Sequence, residues 1–100
     1  MGNNHVNFGQ AIEAAKQGKR VARSGWNGKG MFVFQRQGFS VKKGEFKFDS
    51  RYGESVQQYM VEHNLIFTPV LCLKAADNSI VTGWLASQTD ILAEDWIILD

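Results

Sequence analysis

Two short stretches of this 100-residue chain hold the side chains best suited to chemistry. The first, Ser24-Gly25-Trp26-Asn27-Gly28-Lys29-Gly30, sets a tryptophan, an amide and a lysine among three glycines. Glycines let the backbone approach a ligand closely. Trp26, Asn27 and Lys29 offer stacking, amide hydrogen bonds and charge, which are the contacts a compact phosphorylated nucleotide requires. The stretch is not a P-loop, because only two residues separate Gly25 from Gly28 and Gly30 stands where a Ser or Thr would coordinate magnesium. The competing reading is a tight turn whose Trp26 tucks into the core, as large aromatics usually do. The second stretch, Gly83-Trp84-Leu85-Ala86-Ser87-Gln88-Thr89-Asp90, puts another tryptophan just before a predicted helix N-terminus, where free backbone amides favour an anion or a polar ligand edge. Ser87 and Asp90 are also spaced to cap that helix themselves. A capped N-terminus still presents Gln88 and Thr89, so both readings stand together. Two tryptophan-bearing polar loops in so short a chain read as two walls of a site for a flat heterocycle.

Catalysis has less to stand on. Cys72 lies between Leu71 and Leu73 in a predicted strand, where a buried, inert thiol is the usual outcome. His63 lies at the end of a predicted amphipathic stretch, and one histidine without a partner carboxylate or nucleophile is weak evidence for acid/base work. Glu94 and Asp95 are adjacent, so they point in different directions and do not face one bond as a pair. No catalytic residue is expected. A lone cysteine with His5 and His63 cannot make a Cys/His zinc site within one chain, so neither a metal nor another cofactor is expected, nor a disulfide.

The elements that must position the two loops are partly readable. Phe8, Ala11, Ile12 and Ala15 share one helical face, Asn7 and Gln10 have capping-box spacing, and Gly18 follows as the left-handed stop, predicting a helix over about 8 to 17. Arg20, Val21 and Arg23 suggest a short extended piece before the first loop, and Met31 to Gln35 a strand after it. Between Gln37 and His63 the signals weaken. Glu45 to Phe48 alternates as a half-buried strand would, and Val56, Tyr59, Met60 and His63 fit one face of a short helix beginning near Ser55. Pro69 interrupts an apolar stretch, so the strand expected there is Val70 to Lys74, with Asp77-Asn78 turning the chain into Ile80 to Thr82. A helix begins at Ser87, and Trp96 to Leu99 closes the chain as a strand. The sum is an α+β fold with an N-terminal helix on a small antiparallel sheet, forming one domain over 1–100.

Composition is that of an ordinary soluble domain, with 44% hydrophobic, 12% aromatic and 21% charged residues. No apolar run approaches the ~18 residues of a membrane span and the first residues lack the pattern of a leader, so no membrane partner and a cytoplasmic setting are expected. Net charge of +1 argues against a nucleic-acid coat protein. That average hides nine Lys/Arg against three Asp/Glu in the first fifty residues and two against seven in the rest. Such halves attract one another, within a chain or between chains.

The runs Phe8 to Val21 and Arg23 to Met31, together with Ala76-Asp77 and Gly83 to Trp96, resemble the two signatures of the second Thoeris anti-defence family, a group of small phage and prophage proteins. The resemblance covers roughly residues 6 to 36 and 73 to 97. It implies a molecular sponge that binds cyclic ADP-ribose isomers, immune signals of bacterial TIR-domain enzymes, without cleaving them. It also implies a homotetramer with ligand pockets where protomers meet, and in some members a separate site for cyclic dinucleotides. Carried onto this chain, Trp26 and Trp84 would face the adenine, and Asn27, Ser87, Gln88, Thr89 and Asp90 would bond base and ribose hydroxyls. Arg23, Lys29 or Arg51 would meet phosphates. A nucleotide-signal hydrolase using His63, and a protein or single-stranded nucleic-acid interaction module using the basic first half, are the rival readings.

Overall fold

The computed structural model describes residues 4–99, in the order α1 (Phe8–Lys16), β1 (Val21–Arg23), β2 (Phe32–Arg36), β3 (Phe39–Val41), α2 (Glu54–Val61), β4 (Leu65–Phe67), β5 (Val70–Lys74), β6 (Ile80–Thr82), α3 (Gln88–Leu92) and β7 (Trp96–Ile98). They gather into two compact units, one made of the chain up to Arg36 and from Val70 onward, the other of Gln37 to Pro69. The α+β class is as the sequence predicts, and every named strand pairing is antiparallel.

In the first unit α1 lies on a five-stranded sheet of order β6-β5-β2-β1-β7. The helix starts where the capping box predicts: Asn7 Oδ1 accepts from the Gln10 amide at 2.8 Å, and Gln10 Oε1 accepts from the Asn7 amide at 3.0 Å. It ends at Gly18, whose φ of +93° is cheap only for glycine. Ala11, Ala14 and Ala15 are its buried face, and their small side chains bring the helix down onto Val21, Val33 and Trp96. Alternation along the strands turns those three residues towards the helix and their sequence neighbours to the other face. Cys72 is buried in the middle of β5, as its apolar flanks predict.

The second unit pairs β3 with β4, Phe39 opposite Phe67, with the two rings stacked 4.6 Å apart. Its helix α2 begins within a residue of the predicted start but ends before His63, whose Nδ1 donates to the Tyr59 carbonyl at 2.7 Å. The Glu45 to Phe48 expectation fails. The Glu45 amide closes a turn onto the Lys42 carbonyl, a second turn follows at Asp49, and Phe48 is 83% exposed, so its alternation with Phe46 marks no buried face. Strands form instead at β3 and β4, which pair with each other across the segment between them. The strand predicted after Pro69 is β5, Val70–Lys74, and a further short strand, β4, precedes the proline.

Candidate functional site

The β1–β2 loop, the segment before α3, and β7 converge in the first unit and bring three tryptophans together. Trp26 and Trp96 lie 5.4 Å apart between ring centres, and Trp84 lies 6.4 Å from each of them, all edge to face. Edge-to-face contact sets the electropositive rim of one ring against the face of the next. Trp96 is buried and donates its Nε1 to the Asp90 carbonyl at 2.9 Å, which ties β7 to α3. Trp26 and Trp84 pack against the same core but remain half-exposed. Each therefore serves the core with part of its ring and keeps a part for solvent or a ligand.

Asp90 is the centre of the polar half. Its backbone amide donates to Ser87 Oγ at 3.1 Å and its Oδ2 accepts from the Ser87 amide at 3.3 Å, completing a capping box over α3. Its Oδ1 accepts from Arg23 Nη1 at 3.0 Å and from Trp26 Nε1 at 3.4 Å. Arg23 reaches a second carboxylate as well, Nε donating to Asp95 Oδ1 at 2.9 Å. Asp95 in turn accepts from the Gly25 amide at 2.9 Å and from Ser24 Oγ. A Cβ at Gly25 would stand 2.8 Å from Asp95 Oδ2, so glycine is what lets the loop close on this carboxylate. With Arg23 and Asp90 side chains only 18% and 14% exposed, this is a largely buried carboxylate–guanidinium–carboxylate chain.

Titration follows from that geometry. Burial pushes the Asp90 carboxyl up, but hydrogen bonds from Arg23, Ser87 and Trp26 outweigh it and hold the group below its ordinary value. Arg23 holds Asp95 down too, against partial burial and with help from the Gly25 amide. Arg23 itself is raised, chiefly by its bonds to Asp95 and then to Asp90. One cation between two carboxylates leaves an excess of acceptors, an environment suited to hydroxyl and amino donors of a ligand and unsuited to phosphate.

Of the residues singled out in the sequence, Trp26, Trp84, Ser87 and Asp90 are brought into this one cluster. Asn27, Gln88 and Thr89 are exposed beside it in the chain. Arg23 is engaged by Asp90 and Asp95. Lys29 stands exposed on the β1–β2 loop. Arg51 belongs to the second unit, where it pairs with Asp49 and holds that carboxyl down to about 2. Sequence reasoning missed the roles of Asp95, weighed only as a neighbour of Glu94, and of Trp96, read as the start of the closing strand; their place in the cluster depends on β7 pairing beside β1, with Trp96 opposite Arg23. Among the described residues no group of three or more His, Cys, Asp or Glu is placed to hold a metal, and no helix is long and apolar enough to cross a membrane.

A small antiparallel sheet under one helix thus carries a tryptophan cluster edged by a capped polar turn. Residues 6–99 match the model of the Thoeris anti-defense 2-like domain, and the chain belongs to that family. It is also similar to Thoeris anti-defense 2 of Bacillus phage SP01, 42% identical over 94 residues that make up 94% of each chain. An anti-Thoeris role goes with that membership.

Proposed function

We propose that this protein counters Thoeris immunity as a sponge: it binds the cyclic nucleotide signal, glycocyclic ADP-ribose, and withholds it from the effector without cleaving it. The observation that carries the reading is the juxtaposition of Trp26 and Trp84 with the Ser87–Asp90 turn, which pairs aromatic surface with hydrogen-bond acceptors in one cluster. In this reading the exposed parts of the two tryptophans meet the adenine. Asn27, Gln88 and Thr89 bond base and ribose from the rim, and Ser87 and Asp90 hold the turn in shape. Sequestration needs a low dissociation constant and slow release, which stacking and hydrogen bonds supply without acid, base or nucleophile. The unit at work would be a homotetramer in the cytoplasm of the infected cell, with cyclic dinucleotides as a second ligand class.

The test is to incubate the purified protein with glycocyclic ADP-ribose, remove free ligand, heat the complex and identify what is released by mass spectrometry. Depletion of free ligand followed by recovery of the intact molecule is expected. No depletion overturns the sponge, and recovery of a linear product makes the protein a hydrolase.

A further inference from the structure

The two halves of the β1–β2 loop rest on different neighbours. Residues 24–26 are held from the acidic side: the Gly25 amide donates to Asp95 Oδ2 at 2.9 Å, and Trp26 Nε1 donates to Asp90 Oδ1 at 3.4 Å. Residues 28–30 are held from β5 and the turn after it. A Cβ on Gly28 would collide with Met31 Sδ and stand 3.1 Å from the Ala76 Cβ, so the backbone there lies against the β5–β6 turn. Lys74, the last residue of β5, donates its ammonium to the Gly30 carbonyl at 3.0 Å. Among the described residues no other hydrogen bond joins residues 27–30 to the rest of the chain.

Sheet register is what puts Lys74 in reach. It sets Lys74 opposite Phe32, the first residue of β2, and the lysine ammonium lies 5.9 Å from the centre of that ring while it bonds the carbonyl two residues earlier. Gly30 suits the contact in two ways. Its φ of +71° is cheap only for glycine, and a Cβ there would stand 3.3 Å from the Lys74 Nζ and crowd the bond. Asn27 and Lys29 stand exposed between the two anchors. With glycines at 28 and 30, this half of the loop gains wide conformational freedom once untied. Freedom that must be lost on binding lowers affinity, and a tether that removes it beforehand raises affinity.

We propose that Lys74 is a positioning residue of the ligand site: by holding the Gly30 carbonyl it fixes residues 27–30, so that Asn27 and Lys29 meet the nucleotide already in place. The proposal rests on the sponge reading for the identity of the nucleotide and adds to it a residue that lies on β5, outside both tryptophan-bearing loops. Trp26 keeps its own anchors at Asp90 and Asp95, so the loss of Lys74 falls on the contacts of Asn27 and Lys29 and spares the aromatic one.

Two measurements on the full chain separate the proposal from the reading beneath it. The first, without ligand, is the rate at which trypsin cuts after Lys29 in the native protein, followed by mass spectrometry as release of the fragment that begins at Gly30. The second is calorimetric titration with glycocyclic ADP-ribose. Lys74→Met keeps the aliphatic stem over Phe32 and removes the donor, Lys74→Arg keeps a donor, melting curves confirm folding, and Lys74→Gln takes the place of a methionine variant that does not fold. Lys74→Met should be cut several-fold faster and bind roughly three- to tenfold more weakly, the range expected for one hydrogen bond, and Lys74→Arg should restore both. In an Asn27→Ala/Lys29→Ala background, Lys74→Met should weaken binding less than twofold further, because the side chains it positions are gone. An unchanged cutting rate in folded Lys74→Met overturns the proposal, as does faster cutting with unchanged affinity. An equal loss of affinity in the Asn27→Ala/Lys29→Ala background also overturns it, since the ammonium would then act on the ligand itself. All three results leave the sponge standing. A wild type that ignores glycocyclic ADP-ribose overturns the sponge, and the cutting rates alone then decide whether Lys74 holds the loop.

Discussion

Arg23 illustrates how one residue changes meaning between sequence and structure. The family resemblance makes it a candidate phosphate contact, yet its guanidinium lies between Asp90 and Asp95 and joins β1 to α3 and to the residue before β7. Removing a cation from a largely buried chain of this kind leaves two carboxylates without their counter-charge, so Arg23→Ala should cost about 3 kcal/mol of stability. The same chain sets a pH dependence. Asp90 and Asp95 both titrate below their ordinary value in the folded state. Their stabilisation is therefore complete above the unfolded carboxylate pKa of about 3.9 and is lost as pH falls from there through the depressed native values. Urea midpoints measured from pH 7 down to pH 2.5 should fall in that acid window, and Asp95→Asn should flatten the fall; an unchanged slope would show that other carboxylates govern it. Trp84 carries a different expectation, because its ring serves core and solvent at once. Trp84→Ala should weaken binding of glycocyclic ADP-ribose by roughly 1–3 kcal/mol if the ring stacks on a base, and should also lower the melting temperature. Lower stability with unchanged affinity, measured well below the melting temperature, would assign Trp84 to packing alone.

At the scale of elements, what was legible is what local chemistry decides. The α1 capping box and the Gly18 stop, the Asp77-Asn78 turn between β5 and β6, and the Ser87–Asp90 cap each depend on residues a few positions apart, and all stand where the sequence sets them. β3, β4 and the irregular Glu45 to Phe48 segment were not legible, because β3 and β4 pair across a long intervening segment with no tight turn between them, unlike the equally short β6 after its Asp77-Asn78 turn, and Phe48 carries a strand-like pattern with no partner strand among the described residues. The site divides the same way. Trp26, Trp84 and the cap could be read from their own loops, whereas Asp95 and Trp96 needed β7 to pair beside β1. The two capping boxes permit a comparison of helices. Asn7→Ala removes a cap from a nine-residue helix packed on the core and should cost about 1 kcal/mol. Ser87→Ala removes the corresponding bonds from a five-residue helix. It should cost a similar amount and in addition loosen Asp90 from Trp26, so its effect on ligand affinity should exceed that of Asn7→Ala. Equal affinities for the two variants in calorimetry would separate the cap from the site.

For the molecule as a whole, the near-zero net charge is the sum of two halves that meet. Arg23 from the basic half is bound by Asp90 and Asp95 from the acidic half within the same unit, so part of the predicted attraction is satisfied inside the chain. Burial is less complete. Among the described residues, four of the eight buried hydrophobic ones are alanines, and the largest side chains fully enclosed are Trp96, Val21 and Val33. Against that small core, Leu85 is 90% and Leu92 74% exposed, on either side of the Ser87–Asp90 turn. Enclosing a leucine is worth about 1.5–3 kcal/mol, and a chain of this length gains relatively more from such burial than a larger one. The proposed tetramer gives these side chains a reason to be apolar, since contacts beside the turn would enclose the ligand and the leucines together. Sedimentation velocity should find wild-type protein at four times the 11.2 kDa protomer mass. Leu85→Glu and Leu92→Glu should each shift it to smaller species and weaken retention of glycocyclic ADP-ribose, while circular dichroism stays unchanged because neither side chain belongs to the protomer's core. A wild type that sediments as a monomer at micromolar concentration overturns the assembly, and a monomer that still holds the ligand tightly would place the whole site within one chain.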